Sequence, residues 1–462
     1  MGGFRKPVLL IDFGSTYTKV AAVDLKDRAL IGTAQSPTTV STDINEGLNT
    51  ALELLMQVTG RLDFDARYAC SSAAGGLKMV VSGLVPELTA QAARMAALGA
   101  GAKVSRVFAH EMTDDDIRTI ERLKPDIFLL TGGTDGGNRA CIVHNAEMLA
   151  ASAVDCPIMI AGNRSAAEDC ARILNDRNVI RCPNVMPELN RLDIEPVQAQ
   201  IRALFLHNII QAKGLTHAQG LIQNILMPTP SAVLQAMTLL AGGTAAEPGI
   251  GPLLAVDVGG ATTDVYSIAS GEPVTANTVC KGLPEPFAKR TVEGDIGMRA
   301  GLWGVLEAEG TGQVARISGL EEGTVTQMAH LFSADPDRLP VTPDEAAFDE
   351  AIASAAIETA VGRHAGMIEE TYTPMGPLYV QTGKDLRPVR QLILTGGPLI
   401  HAAHPAGIAR FALWNPDRPL SLKPLEADVK IDRSYILSAM GVLSGPEPDV
   451  ALSIMKKELS HV

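Results

Sequence analysis

Short apolar runs ending in an acid or a glycine alternate along this chain with stretches of helical spacing. Residues 8–12 (VLLID) read as a buried strand feeding a turn at Gly14, and 19–24 (KVAAVD) as the strand that returns from it. Helical spacing covers 44–58 and, after Pro86, 87–98, where Gly99 and Gly101 stop it. Thr113 ahead of three aspartates is an N-cap with an acidic first turn, and its helix runs to about residue 123. A strand at 126–130 then enters Thr131-Gly132-Gly133. Strands at 157–161 and 179–182 flank a helix at 165–174. Residues 195–226 read as mainly helical, broken by Pro228 and Pro230 and resumed over 231–240. Such alternation predicts α/β layers.

The stretch 241–252 (AGGTAAEPGIGP) is the most linker-like, and the chain beyond it opens as the first half did. Residues 253–258 (LLAVDV) form a buried strand that ends in an acid and then Gly259-Gly260, and 263–268 return. Helices are expected near 298–307, over 344–370 and over 434–443, with a hairpin of 378–381 and 389–395 around Gly383-Lys384-Asp385. Each half thus carries apolar-Asp-x-Gly and, later, apolar-apolar-Thr-Gly-Gly. Two signposts in the same order twice point to one fold used twice. The expected domains are 1–245, with an α/β and helical extension, and 246–462.

Composition narrows the function. Among 462 residues, 46% are hydrophobic, enough for a sizeable core in each half. A net charge of -13 repels phosphate backbones, and 4% aromatics leave few platforms for bases, so nucleic acid is not an expected partner. Cys70, Cys141, Cys156, Cys170, Cys182 and Cys280 form no Cys-x-x-Cys pair, which fits reduced core thiols better than zinc. No run approaches the roughly 18 apolar residues of a membrane span. The opening reaches Asp12 after four apolar residues, too few for a secretory signal, and Lys6 stands where myristoylation wants Ser or Thr. The expected location is the cytoplasm, with no membrane partner.

Three constellations carry chemistry. In Asp12-Phe13-Gly14-Ser15-Thr16-Tyr17-Thr18-Lys19, Gly14 lets backbone N–H groups approach an anion, and Ser15, Thr16 and Thr18 add hydroxyls. Asp12 repels phosphate, so its natural role is to hold Mg²⁺ or its waters. Asp257-Val258-Gly259-Gly260-Ala261-Thr262-Thr263-Asp264 repeats that logic with one more glycine. In Thr395-Gly396-Gly397 a strand ends without side chains to obstruct a flat ring such as adenosine. The run from Thr131 to Arg139 (TGGTDGGNR) is either a further anion nest or an echo of that adenosine loop.

These motifs resemble the two phosphate motifs and the adenosine motif of the sugar-kinase, actin and heat-shock-chaperone ATPase superfamily. Residues 71–76, 129–139 (LLTGGTDGGNR), 256–267 (VDVGGATTDVYS), 291–299 (TVEGDIGMR) and 394–399 (LTGGPL) are similar, over nearly the full length, to the MutL/GlmL family of glutamate mutase accessory proteins, unrelated to mismatch repair. The resemblance implies an α/β actin-like ATPase fold of two duplicated ribonuclease-H-like domains flanking a nucleotide cleft. It implies Asp12 and Asp257 as catalytic, Mg²⁺-holding acids. Gly14, Ser15, Thr16, Thr18, Gly259, Gly260, Ala261 and Thr262 would line the phosphates of ATP or ADP, and Gly396 and Gly397 the adenosine. Glu293, which with Asp295 precedes an expected helix, would touch ribose or serve as a plain helix-start acid. The implied partner is an adenosylcobalamin-dependent mutase, glutamate mutase or a related aminomutase, reactivated at the expense of ATP; a homodimer is compatible with this. A sugar or acid kinase and a nucleotide-sensing filament or scaffold protein are the alternatives.

Overall fold

The structure, a computed structural model, describes residues 7–39, 44–72, 77–212, 225–374 and 376–462. The chain divides into two units. The first holds residues 1–233 with Gly282–Pro284 and Gly441–Gly445, and the second holds the remainder.

In the first unit, β1 (Pro7–Phe13), β2 (Tyr17–Asp24) and β3 (Ala29–Pro37) form an antiparallel meander. β4 (Ala66–Ser71) lies parallel to β1 on its other side. A second group of strands comes next: β5 (Lys78–Gly83), β6 (Lys103–Ala109), β7 (Ile127–Leu130), β8 (Ile158–Ile160) and β9 (Val179–Arg181). Then β10 (Ile225–Pro228) returns to pair in parallel with β4. The first sheet therefore runs β3-β2-β1-β4-β10, and β5 to β9 form a separate all-parallel sheet ordered β6-β5-β7-β8-β9. Strand β1 is buried at every position, as a central strand covered on both faces must be. One core joins Leu9, Ile11 and Phe13 of β1 to the helix Ile44–Thr59 and to one face of the parallel sheet through Met79, Val81 and Leu129.

The second unit repeats the first topology. β11 (Leu253–Val258), β12 (Thr263–Ile268) and β14 (Ala288–Glu293) make the meander, while β17 (Gln391–Thr395) and β18 (Asp428–Ile431) continue in parallel on the far side of β11. Its order, β14-β12-β11-β17-β18, is edged by β19 (Ser460–His461). The intervening strand β13 (Thr278–Lys281) joins β15 (Met367–Thr373) and β16 (Gly376–Thr382) in a small third sheet. Two sheets with the order third-second-first-fourth-fifth and the same antiparallel and parallel senses are the duplicated ribonuclease-H-like halves of the actin-like ATPase fold. The long helix Pro343–His364 covers the second sheet and buries fourteen of its residues, so its sequence is Ala-rich on nearly every side.

Several expectations change. The second Thr-Gly-Gly signpost is not duplicated in three dimensions. Thr395 pairs with Asp257 on the parallel side of β11, and the residue that pairs with Asp12 on the parallel side of β1 is Cys70 on β4, whereas Thr131-Gly132-Gly133 ends β7 in the parallel sheet. Glycine after each of these strands answers a local requirement, a turn with positive φ at Gly132, Gly133 and Gly396. The helix expected to 370 stops at His364, and Met367–Thr373 is a strand whose β-branched and aromatic residues pair with β16. The hairpin expected around residues 383–385 does not form, because β16 and β17 lie in different sheets and Lys384 and Asp385 are buried rather than at a turn tip. Of the long helix expected over 195–226, Glu195–Ala212 is helical and Ile225–Pro228 is strand β10; residues 213–224 lie outside the described residues. Thr113 caps its helix as expected, in a full capping box with Asp116.

Lys384 sits under β12 and β14, donating to the carbonyls of Pro286 and Phe287 at 2.9 Å each and to Ser267 Oγ at 3.3 Å. Ser267 also bonds His364, which in turn bonds Thr291. Burial, reinforced by Lys289, lowers the Lys384 pKa from 10.5 to about 7. Burial and the same lysines push His364 down as well, and it stays neutral. The unfolded chain holds the lysine proton up to 10.5 and the folded chain releases it near 7. Stability from this group therefore rises with pH across that window, by at most about 1.4 kcal/mol per pH unit. Lys384→Met is expected to flatten that rise in urea melts compared between pH 7 and 9; an unchanged slope would assign the titration elsewhere.

Candidate functional site

Each unit presents an acid-bearing hairpin at the same place in its sheet. In the first, the turn joining β1 to β2 is closed by Gly14 N–H donating to Tyr17 O at 3.1 Å. Thr38 fastens it from β3's end: its N–H donates to Thr16 O at 2.8 Å and its hydroxyl to Gly14 O at 3.0 Å. Ser15 and Thr16 stand exposed, whereas Thr18 is buried with its hydroxyl 3.1 Å from that of Thr38. Asp12 is also buried. It accepts from Thr229 Oγ1 at 2.6 Å and from Cys70 Sγ at 3.5 Å, and Lys19 Nζ, on the cross-strand partner residue, is 3.8 Å away. Burial, then the Asp12 carboxylate, pushes the Cys70 thiol well above its ordinary value, so it meets Asp12 as a neutral S–H donor.

In the second hairpin, Gly259 N–H donates to Thr262 O at 2.9 Å. Gly260 and Ala261 are exposed, Thr262 is half-buried, and Thr263, the counterpart of Thr18, is buried and donates to Ile296 O at 3.0 Å. The segment after β14 braces the turn from outside: Met298 N–H reaches Gly259 O at 3.0 Å and Arg299 N–H reaches Gly260 O at 2.7 Å. The next helix starts at Leu302, after this brace, and not near Met298. Arg299 is itself held bidentately by Asp349, at 2.8 and 3.0 Å, over the ring of Phe332.

Asp257 is half-buried and, unlike Asp12, faces a second carboxylate, Asp264, across the β11–β12 pair. Arg290 on β14 answers that charge, with Nε 2.7 Å and Nη2 2.6 Å from Asp264 Oδ1. The two hairpins thus differ electrostatically: a lysine stands opposite Asp12, and a neutralised acid opposite Asp257.

Gly396 adjoins this second acid. Its φ is +97°, and a Cβ there would lie 2.3 Å from Val258 O and 2.7 Å from Asp257 Oδ1. The residue is glycine because β17 delivers its turn directly onto the Asp257 carboxylate. Gly397 opens the short helix Gly397–Ile400 with nothing within contact distance of a Cβ. Glu293 ends β14 rather than starting a helix, and its carboxylate pairs with Arg363 at 2.6 Å. Of the family-like segment 71–76, residues 73–76 lie outside the described residues.

Inside the second unit the structure brings together Asp257, the Gly259–Thr262 turn and Gly396; inside the first it brings together Asp12 and the Gly14–Thr16 turn. It adds Thr229, Cys70, Asp264, Arg290 and the 296–299 brace, none of them assigned from sequence. Asp264 was visible as the second acid of its motif, but Arg290 is brought in by strand register, and Thr229 by its place at the start of the helix Thr229–Gly242 that follows β10. Chemically, the second hairpin offers a half-buried carboxylate beside exposed glycine-rich backbone, an all-oxygen donor set that fits hydrated Mg²⁺ beside phosphate. Among the described residues, no helix is long and apolar enough to cross a membrane.

The family model for MutL protein matches residues 8–459. A protein MutL of Clostridium tetanomorphum is 47% identical over 460 residues, which cover 98% of this chain and 99% of that one. Among solved structures, a nucleotide-free acetone carboxylase is 15% identical, with a TM-score of 0.42 and coverage of 95% of this chain and 70% of that one. A glycerol dehydratase reactivase is 10% identical, with a TM-score of 0.37 and coverage of 95% and 99%. The structural likenesses are too distant to bear on function, but the sequence matches span the whole length, and on them the chain belongs to the MutL family.

Proposed function

We propose that this chain is a cytoplasmic Mg-ATPase that reactivates an adenosylcobalamin-dependent mutase, glutamate mutase or a related aminomutase. The observation that carries the nucleotide reading is the duplicated sheet with an acid-bearing, glycine-containing turn at the same strand junction in each unit. The backbone amides of Ser15, Thr16 and Gly260–Thr262 would donate to phosphate oxygens, with Gly14 shaping the first turn, and Asp12 and Asp257 would hold Mg²⁺, which supplies charge neutralisation on the phosphates. Gly397, with open space where a Cβ would stand, would leave room for the nucleoside, and Gly396 would lie beside it against Asp257. The mutase reading rests on the full-length family membership. A mutase that has lost its adenosyl group stays inactive until the damaged cofactor leaves, and ATP turnover on this chain would supply the free energy by alternating two states of different mutase affinity.

The test mixes an inactivated glutamate mutase with this protein, ATP, Mg²⁺ and fresh adenosylcobalamin. Mutase activity should return, and should fail to return when a non-hydrolysable ATP analogue replaces ATP. Recovery that is equal without ATP would sink the reading. So would no recovery across several cobalamin mutases while a sugar or acid stimulates ADP release, which would make the chain a kinase.

A further inference from the structure

The parallel sheet inserted in the first unit has the doubly wound order second-first-third-fourth-fifth, β6-β5-β7-β8-β9. The helices Gln91–Gly99 and Glu195–Ala212 pack on the face of Val81 and Leu129, while Asp114–Leu123, Ala140–Ala151 and Ala167–Ile173 pack on the face of Val80 and Leu130. The connections from β5 and from β7 therefore leave in opposite directions. In such sheets ligands bind outside the carboxyl ends of the strands, at that point of reversal.

The residues at this edge are built for close approach. β5 ends in Gly83, β7 runs into Gly132-Gly133, and Gly162 comes just after β8. A Cβ on Gly83 would lie 2.3 Å from Ala90 N, and one on Gly162 would lie 2.7 Å from Gly132 N. The turn after β5, Pro86–Ala90, is a π-helix, a form that concentrates at functional sites. The loop after β7 is held from beneath by two buried asparagines. Asn163 accepts from Gly136 N–H at 3.1 Å and donates to the carbonyls of Gly137 and Asn138; Asn184 donates to Gly133 O at 3.1 Å and to Asp135 Oδ1 at 2.9 Å. Residues Gly136–Arg139 stay exposed and lead into the twelve-residue helix Ala140–Ala151.

A separate observation points to a ligand here. Ser82 on β5 is fully buried, and its hydroxyl has no hydrogen-bond partner among the described residues. By alternation from Val80, and in register with Leu130, it faces the side covered by Ile142, beneath the first turn of that helix. A buried, unanswered hydroxyl is costly unless something supplies its partner. On the rim, the exposed Arg164 guanidinium makes no hydrogen bond or ion pair among the described residues, although its backbone N–H is tied to Asp135.

We propose that this edge is a second ligand site, for a phosphate-bearing small molecule. Its phosphate would rest on the 133–139 loop and the start of the helix Ala140–Ala151, with Arg164 over it. The site is independent of the hairpins and of the function proposed above. The test is hydrogen–deuterium exchange on the full chain with inorganic pyrophosphate, ADP and flavin mononucleotide as probes. At least one probe should slow exchange of the amides in 132–142. In Arg164→Glu that protection should need at least roughly tenfold more probe, the effect of one lost charge-assisted hydrogen bond, while ATP turnover is unchanged. Asp257→Asn should keep it. Which probe protects separates a bare phosphate site from a nucleotide or a flat-ring cofactor site. No protection by any probe, protection confined to residues 12–19 and 257–264, or equal protection in Arg164→Glu would overturn the proposal.

Discussion

Asp257→Asn is expected to fold as the wild type does and to turn over ATP at least roughly 10²-fold more slowly, the size of one lost preorganised electrostatic contact. The substitution keeps the shape of a half-buried side chain at a position whose backbone is fixed by β12 on one side and β17 on the other. What it removes is charge, and a neutral amide holds Mg²⁺ weakly. Superimposable circular dichroism with slow phosphate release is the expected pair of results; wild-type turnover would take Asp257 out of the site. Asp12→Asn is a less clean experiment. Asp12 is buried among Thr229, Cys70 and Lys19, so its loss changes the packing of the first unit as well as its chemistry.

Asp264→Ala should cost about 3–5 kcal/mol of stability, because it takes from the buried Arg290 cation the carboxylate that balances it. The Arg290 side chain is 4% exposed and spends two nitrogens on Asp264 Oδ1. A fall in thermal midpoint on the order of 10 °C is expected for a unit of this size. The double variant Asp264→Ala with Arg290→Met removes both charges and should recover much of the loss, since an apolar replacement of a buried pair is often near neutral. Calorimetry on the two variants decides it: equal midpoints for single and double variants would mean that Arg290 is satisfied by other neighbours. The pair also bears on function, because Asp264 without Arg290 would place an unanswered negative charge across from Asp257.

Repetition was the strongest signal in the sequence, and it was legible for a physical reason. A strand buried on both faces must be apolar throughout, so VLLID and LLAVDV announce β1 and β11, and the tight turn after each demands glycine. Those constraints are local, and they yielded the two hairpins, Asp12 and Asp257, and the α/β class. The N-cap at Thr113 was equally local. The family resemblance was readable for the same reason, since its motifs sit in these turns.

Tertiary structure decided what depends on pairing partners. Nothing in the spacing of Thr131-Gly132-Gly133 separates the end of an inserted parallel strand from the end of β17; only the sheet order assigns it to β7. Arg363, His364 and Gly366 are a local stop that the Ala-rich helical spacing up to residue 370 obscures, and pairing with β16 made Met367–Thr373 a strand, because β pairing is settled largely by neighbours. The partners of the site's acids, Thr229 on Asp12 and Arg290 on Asp264, come from distant positions that only the fold brings alongside. The sequence alone determined where the chain must turn tightly and place an acid; the fold determined what that acid faces, because electrostatic environment is a property of neighbours in space.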